Sequence, residues 1–189
     1  MATPTEVLIE VTHVLEELHI PYFVVGSFAS SARGVRRATI DGDIVADIPS
    51  EDVSQLVAEL SSRDFYVDDR AVRRAIEFER SFNAIHRESI FKIDIYVSRD
   101  EFSKAEMLRR LPEKVLPNSD AVIYIATAED TAVAKLSWFR KGGEVSDRQW
   151  SDVVGILKVQ KGNLDYEYMK RWSQQLGVRD LLDRALEEV

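Results

Sequence analysis

Cysteine is absent from the 189 residues, which excludes disulfides, a thiolate zinc site and a cysteine nucleophile. Histidine occurs three times, and His13, His19 and His86 show no ligand spacing, so no zinc site is read. No apolar run approaches the roughly 18 residues of a membrane span. The amino terminus, MATPTEVLIE, lacks the charged-then-apolar pattern of a secretory signal. The expected location is therefore the cytoplasm, with no membrane partner. Positive charge is also in deficit: 33 acidic residues against 25 Lys and Arg give a formal net charge of −8. That argues against a basic protein that wraps nucleic acid, while leaving room for a local basic mouth that accepts a nucleotide or an RNA end. Three catalytic motifs are missing as well. No Gly-x-x-x-x-Gly-Lys-Ser/Thr loop, Gly-x-Ser-x-Gly elbow or Gly-x-Gly-x-x-Gly turn occurs.

What is there is ordinary in bulk and specific in pattern. Hydrophobic residues make up 45% and charged residues 31%, as in a globular chain of one domain, or one domain with a helical appendage. Val7, Leu8, Val11, Val14, Leu15 and Leu18 recur at helical spacing, so 5–18 reads as an amphipathic helix. Tyr22 to Val25 reads as a buried strand stopped by Gly26, and 28–33 as a short helix. Residues 39–48 read as a half-buried strand. Ile40, Gly42, Ile44, Ala46 and Ile48 fall on one parity, and Thr39, Asp41, Asp43 and Asp47 on the other. A helix capped at Ser50 follows, then a short strand at 65–67 and a basic helix through Arg70, Arg73 and Arg74. Residues 81–86 and 91–97 read as a hairpin whose second strand puts Lys92, Asp94 and Tyr96 on one face. A helix over 100–110 and a strand over 121–126 complete this part.

From there the period changes from two to 3.6. Thr127 with Asp130 and Ser146 with Gln149 read as capping boxes that open two helices. Two more helices follow near 165–175 and 178–187. Met107, Trp138, Trp150 and Trp172 read as core. The expected organisation is an α/β domain over 1–126 with a helical tail over 127–189 packed on it.

The chemistry-bearing segment runs from Gly26 to Asp43. A strand ends at Gly26-Ser27, thirteen residues intervene, and a second strand presents Asp41 and Asp43. Residues i and i+2 of a strand project to the same side, so both carboxylates can reach one cation. Mg²⁺ takes hard oxygen ligands, commonly one or two carboxylates, with water and phosphate completing its shell. Gly26 lets a backbone approach a polyphosphate closely, and Ser27 can donate to a phosphate oxygen. Asp94 on another strand adds a third acid, which makes a two-metal phosphoryl-transfer site.

Gly26-Ser27, Asp41-Gly42-Asp43 and Asp94, in that order, resemble the signature of the DNA polymerase β-like nucleotidyltransferase superfamily. The flank Arg37-Ala38-Thr39-Ile40-Asp41-Gly42-Asp43 looks like that of small bacterial members, the AbiEii-type abortive-infection toxins and minimal nucleotidyltransferases. The later run from Glu129-Asp130 to Lys135-Leu136, then from Asp147 to Asp152, is similar to their helical tail. The resemblance covers about residues 20–160. It implies an α+β fold built on an α/β-type mixed sheet, with a C-terminal helical tail. It implies in-line attack on the α-phosphate of an NTP with two Mg²⁺ or Mn²⁺ ions held by Asp41, Asp43 and Asp94. Gly26, Ser27, Arg37, Thr39 and Lys135 would bind the nucleotide. Acceptors in such proteins include a tRNA end, a protein side chain or a small molecule, and a cognate antitoxin or toxin is an implied partner.

Some positions depart from the pattern or carry a second reading. Gly42 stands where the family has an apolar residue, and a glycine inside a strand weakens it. A catalytically decayed binding module is therefore the alternative function, and a scaffold with a solvated acidic strand a further one. Asp47 reads as a surface acid. Lys135 reads either as a phosphate contact or as a lysine laid along its helix. Asp147, Arg148 and Asp152 read either as functional groups or as charge pairs within one helix. The cluster Arg33, Arg36 and Arg37 reads as a phosphate dock or as a solvated loop.

Overall fold

β1 (Tyr22–Val24) is a run of large β-formers in which every side chain is buried, and it lies inside the sheet rather than at its rim. The computed structural model describes residues 2–35, 41–116 and 120–189. Arg37 and Thr39, expected at the nucleotide, lie outside the described residues. The chain order is α1 (Pro4–Glu17), β1, α2 (Gly26–Arg33), β2 (Gly42–Ala46), α3 (Val53–Ser62), β3 (Phe65–Tyr66), α4 (Asp69–Phe78), β4 (Ser81–His86) and β5 (Lys92–Val97). It continues through α5 (Glu101–Arg109), β6 (Leu111–Lys114), β7 (Val122–Ile125), α6 (Ala128–Lys141), α7 (Asp147–Val159), α8 (Tyr166–Gln175) and α9 (Arg179–Glu187).

The described residues fall into two compact units, Met1–Ser27 with Thr39–Ile125, and Phe28–Ala38 with Ala126–Val189. The first unit holds the seven-stranded sheet, ordered β3-β4-β5-β2-β1-β7-β6. It is mixed: β2 runs parallel to β5 and β1 parallel to β7, while the other pairs are antiparallel. The expected α+β class with a mixed sheet is what the chain adopts.

Alternation explains the two faces of the central strands. Gly42, Ile44 and Ala46 on β2, Ile93, Ile95 and Val97 on β5, and Phe82, Ala84 and His86 on β4 are all buried. They share one face, because side chains alternate along a strand and the registers keep neighbours level. Helix α1 contributes Val7, Leu8, Val11, Val14 and Leu15 to the core, each at most 1% exposed. α1 packs beside α3 and α3 beside α4. The opposite face carries Asp43 on β2, Lys92, Asp94 and Tyr96 on β5, and Ser81 and Asn83 on β4.

Gly42 does not loosen this arrangement. It is buried opposite Ile93, and a Cβ there would lie 2.4 Å from Ile93 Cδ1 and 3.2 Å from Leu8 Cδ1. The branched side chain across the strand pair occupies the space that a side chain at 42 would need. Gly42→Val should therefore cost about 1–3 kcal/mol by overpacking, and a shortened partner in Gly42→Val/Ile93→Ala should recover part of it. Denaturant unfolding of the two variants checks this.

Several local expectations are corrected. Ser50 does not cap α3: residues Ser50–Asp52 form a 3₁₀ turn, and Asp52 precedes the helix with no side-chain cap. β6 is a further strand, an edge strand containing Pro112, which can sit there because an outer N–H is not needed. Trp138 is not core but 54% exposed, with the Lys141 ammonium over its ring. Met107, Trp150 and Trp172 are half-buried rather than fully enclosed.

The second unit is helical. α6 is opened by Thr127, whose hydroxyl accepts from the Asp130 N–H at 3.2 Å and donates to Asp130 Oδ2 at 2.7 Å. Asp130 thus answers the cap through its side chain to the hydroxyl, rather than to the Thr127 backbone. The same carboxylate, fully buried, accepts from the Tyr168 hydroxyl at 2.6 Å, tying α6 to α8. Ser146 caps α7 through the Gln149 N–H.

Candidate active site

The turn after β1 sets the site. The Val25 N–H donates to the Asp43 carbonyl at 2.9 Å, so the chain leaves β1 still held against β2. Gly26 then takes φ +65°, and a Cβ at this position would lie 2.0 Å from Asp43 Oδ2 and 2.7 Å from Asp43 Cγ. Glycine is required twice over here: for the left-handed backbone, and because the Asp43 carboxylate occupies the space beside its Cα. Gly26 and Ser27 form the first residues of the eight-residue α2. That helix is one residue-pair longer at its start than expected, so Ser27 belongs to its first turn. Backbone N–H groups at such an end have no partner within the helix and face anions favourably.

β2 and β5 bring the acids together. In their parallel register Asp43 lies level with Asp94. Asp43 is half-buried, and Asp41 is exposed, immediately ahead of β2. Asp94 is closely held: Lys92 Nζ lies 2.7 Å from its Oδ2, and Asn83 Nδ2 on β4 donates to its Oδ1. The hydrogen bond to Asp94 raises the Lys92 ammonium pKa against a smaller lowering by burial, and the charges of Asp94, Asp41 and Asp43 add to the rise. One cation therefore feels all three carboxylates.

Tyr96, two residues along the same face of β5, reports on the same field. Burial pushes its phenol up, and the negative charges of Asp43 and Asp94 push it further, to about 12. An acid whose folded pKa lies above its unfolded value of roughly 10 stabilises the fold below that pH and loses the contribution as pH rises toward 12. Substituting Asp43→Asn removes one of the charges, so the Tyr96 ionisation should move down. Ultraviolet absorbance titration, with Tyr96→Phe identifying the step, measures this.

Does this donor set fit a divalent ion? Among the described residues, no group of three or more His, Cys, Asp or Glu side chains is gathered closely enough to hold a metal. Yet Mg²⁺ needs few protein ligands, commonly one or two carboxylates with substrate phosphate and water. Asp43 and Asp94 on neighbouring strands supply hard oxygens of that kind, with Asp41 immediately ahead of β2. The residues fit the ion.

The other positions singled out have partners of their own. Lys135 belongs to the second unit, where its Nζ lies 2.9 Å from Asp152 Oδ2, the two side chains being 11% and 10% exposed. Asp152 on α7 thus pairs across to α6. Arg33, also in that unit, donates from Nε to the Ala126 carbonyl at 3.0 Å. Asp47 is a surface acid paired with Arg99 at 2.8 Å. Asn83 was not singled out by sequence. The alternation of β4 puts it on the polar face, but only the register shows that it meets Asp94.

No protein-family model matches the chain, and no curated protein is significantly similar to it in sequence. Solved structures are similar in fold. ANT(2″)-Ia in complex with adenylyl-2″-tobramycin gives a TM-score of 0.63 at 14% identity, over 94% of this chain and 99% of that one. The solution structure of the antibiotic-resistance factor ANT(2″)-Ia gives 0.58 at 17% identity, over 98% of both chains. An antigenic nucleotidyltransferase-like protein from Paracoccidioides brasiliensis gives 0.55 at 14% identity, over 98% of this chain and 92% of that one. With a mixed sheet that carries paired acids beside a Gly-Ser turn, the chain has the nucleotidyltransferase fold.

Proposed function

We propose that this protein is a metal-dependent nucleotidyltransferase that moves a nucleoside monophosphate from an NTP to a hydroxyl. The observation that carries the reading is the seating of Asp43 against Gly26 with Asp94 level beside it. That places a phosphate-compatible helix start and two carboxylates at one end of β1 and β2. Asp41, Asp43 and Asp94 would hold Mg²⁺ or Mn²⁺. A divalent ion so bound neutralises triphosphate charge and lowers the pKa of the attacking hydroxyl.

The chain's own groups do the rest. Ser27 and the N–H groups that open α2 cradle the β- and γ-phosphates. Asp94 faces the incoming hydroxyl; its oxygens keep acceptor capacity beyond the bonds from Lys92 and Asn83, so it can accept the hydroxyl proton. The acceptor oxygen forms a bond to the α-phosphorus, the bond to the bridging oxygen breaks, and pyrophosphate leaves with its electrons. Arg37 and Thr39 belong to the proposed nucleotide contacts on the strength of the motif alone. Gly42, the one feature that favoured a decayed binding module, is accounted for by Ile93, so the catalytic reading stands first.

The acceptor hydroxyl belongs to a small molecule, an RNA end or a protein. The ANT(2″)-Ia structure, which contains an adenylylated tobramycin, puts small polyhydroxylated molecules first. The resemblance to abortive-infection toxins supplies the other arms, with a cognate antitoxin as partner. The test incubates the full chain with each α-labelled NTP, Mg²⁺ or Mn²⁺, and separate pools of aminoglycosides, RNA and lysate protein. Label moved to one pool by the wild type and not by Asp41→Ala/Asp43→Ala supports the reading and names the acceptor class. Absence of transfer with every pool contradicts it.

A further inference from the structure

Lys92 stands out among the groups around the carboxylates because no step of the proposed reaction uses it. It sits two residues before Asp94 on β5, so both side chains project from the same face of the sheet. Its ammonium lies 2.7 Å from Asp94 Oδ2, while Asn83 occupies Oδ1. The Asp94 side chain is 17% exposed and that of Lys92 42% exposed. The carboxylate is thus fixed within the sheet, whereas the lysine reaches it from the solvent side on a flexible four-carbon stem. A tethered cation of this kind can leave without disturbing the fold, and it occupies the oxygen that a divalent ion would take.

We propose that Lys92 is a built-in competitor for the metal: it holds Asp94 in position through its ion pair and must yield Oδ2 when a divalent ion enters, so it sets the ion concentration at which the site loads. The proposal rests on the metal-dependent reading above. Asn83, bound to the other oxygen, keeps Asp94 oriented throughout the exchange, so the carboxylate does not have to find a new rotamer. The ammonium is also the cation on which Asp94, Asp41 and Asp43 all act, so its departure leaves their combined charge for the incoming ion. Arginine would retain the charge at this position, whereas methionine would keep the stem and lose the cation.

The test is Mn²⁺ titration of the nucleotide-free full chain, followed by the electron paramagnetic resonance signal of free Mn²⁺. Lys92→Met should bind Mn²⁺ roughly 1.5- to fivefold more tightly than the wild type, the range expected for release of a partly exposed ion pair. Lys92→Arg should stay near the wild type. In the Asp94→Asn background most of the gain from Lys92→Met should disappear, because the two residues act on one oxygen. Equal or weaker binding by Lys92→Met overturns the proposal while leaving the metal reading intact. A gain that persists undiminished in Asp94→Asn also overturns it, since Lys92 then acts only as a diffuse charge. If neither the wild type nor Lys92→Met binds Mn²⁺, this proposal fails, while the metal reading, in which substrate phosphate completes the ion's shell, is judged by the transfer assay above.

Discussion

Asp43→Asn should lower nucleotide transfer by on the order of 10²–10³-fold, the usual loss when one charge-stabilising group is taken from a preorganised site, with the fold unchanged. Asparagine keeps the shape of the side chain, and Asp43 is only half-buried, so stability is not what changes. The same oxygen can be attacked from the turn. In Gly26→Ala the new Cβ would stand 2.0 Å from Asp43 Oδ2, so the carboxylate must rotate away. The backbone at φ +65° adds about 1 kcal/mol of strain for any residue with a Cβ. Gly26→Ala should therefore lose activity comparably and lose some stability as well. The double variant Gly26→Ala/Asp43→Asn should be little less active than Asp43→Asn alone, because both changes act through one atom and such effects do not add. Asp47→Asn is the control. That carboxylate pairs with Arg99 on the surface, and its removal should leave transfer intact. Steady-state kinetics on the four variants, with denaturation curves beside them, separates loss of chemistry from loss of fold.

Lys135→Met should lower stability by about 3–5 kcal/mol, as expected when one partner of a buried ion pair is removed and the other charge is left behind. Both side chains are about nine-tenths buried, so water cannot take over the role of the ammonium at Asp152. A hydrophobic replacement of both, Lys135→Met/Asp152→Leu, should restore much of the loss, since apolar side chains of similar volume fit such a site without a desolvation cost. Chemical denaturation gives the two values. The pair links α6 to α7 within the helical unit, and a stability effect of this size would make it part of that unit's core.

Alternation in 39–48 and 91–97 placed Asp43 and Asp94 on polar faces, and period-two patterning is a direct consequence of strand geometry. It could not say that β2 and β5 are neighbours. That pairing joins segments with α3, β3, α4 and β4 between them, and no local pattern encodes it. Asn83 was invisible for the same reason: its alternation was plain, but its partner depends on the hairpin register. The seating of Asp43 on Gly26 was legible as a glycine in the right place, though not as a contact. Other features failed through tertiary override. The reading of Lys135 as a lysine laid along the surface fails because a helical lysine gives no sign of a buried partner on the next helix. Trp138 looked like core because its size suggested burial, while it lies on the outer side of α6 with Lys141 over it. β6 was missed because Pro112 reads as a strand breaker, and edge strands tolerate what central strands do not.

The measurement that tests the central claim most directly is product analysis with the NTP labelled at either the α- or the γ-phosphate. The proposed reaction breaks the bond between the α-phosphorus and its bridging oxygen. Label from the α-position should then appear on the acceptor, and label from the γ-position in pyrophosphate, with both products formed on the order of 10²–10³-fold more slowly in Asp43→Asn. Label from the γ-position on the acceptor, or inorganic phosphate as the sole product, would contradict attack at the α-phosphorus and with it the role assigned to the paired acids beside Gly26.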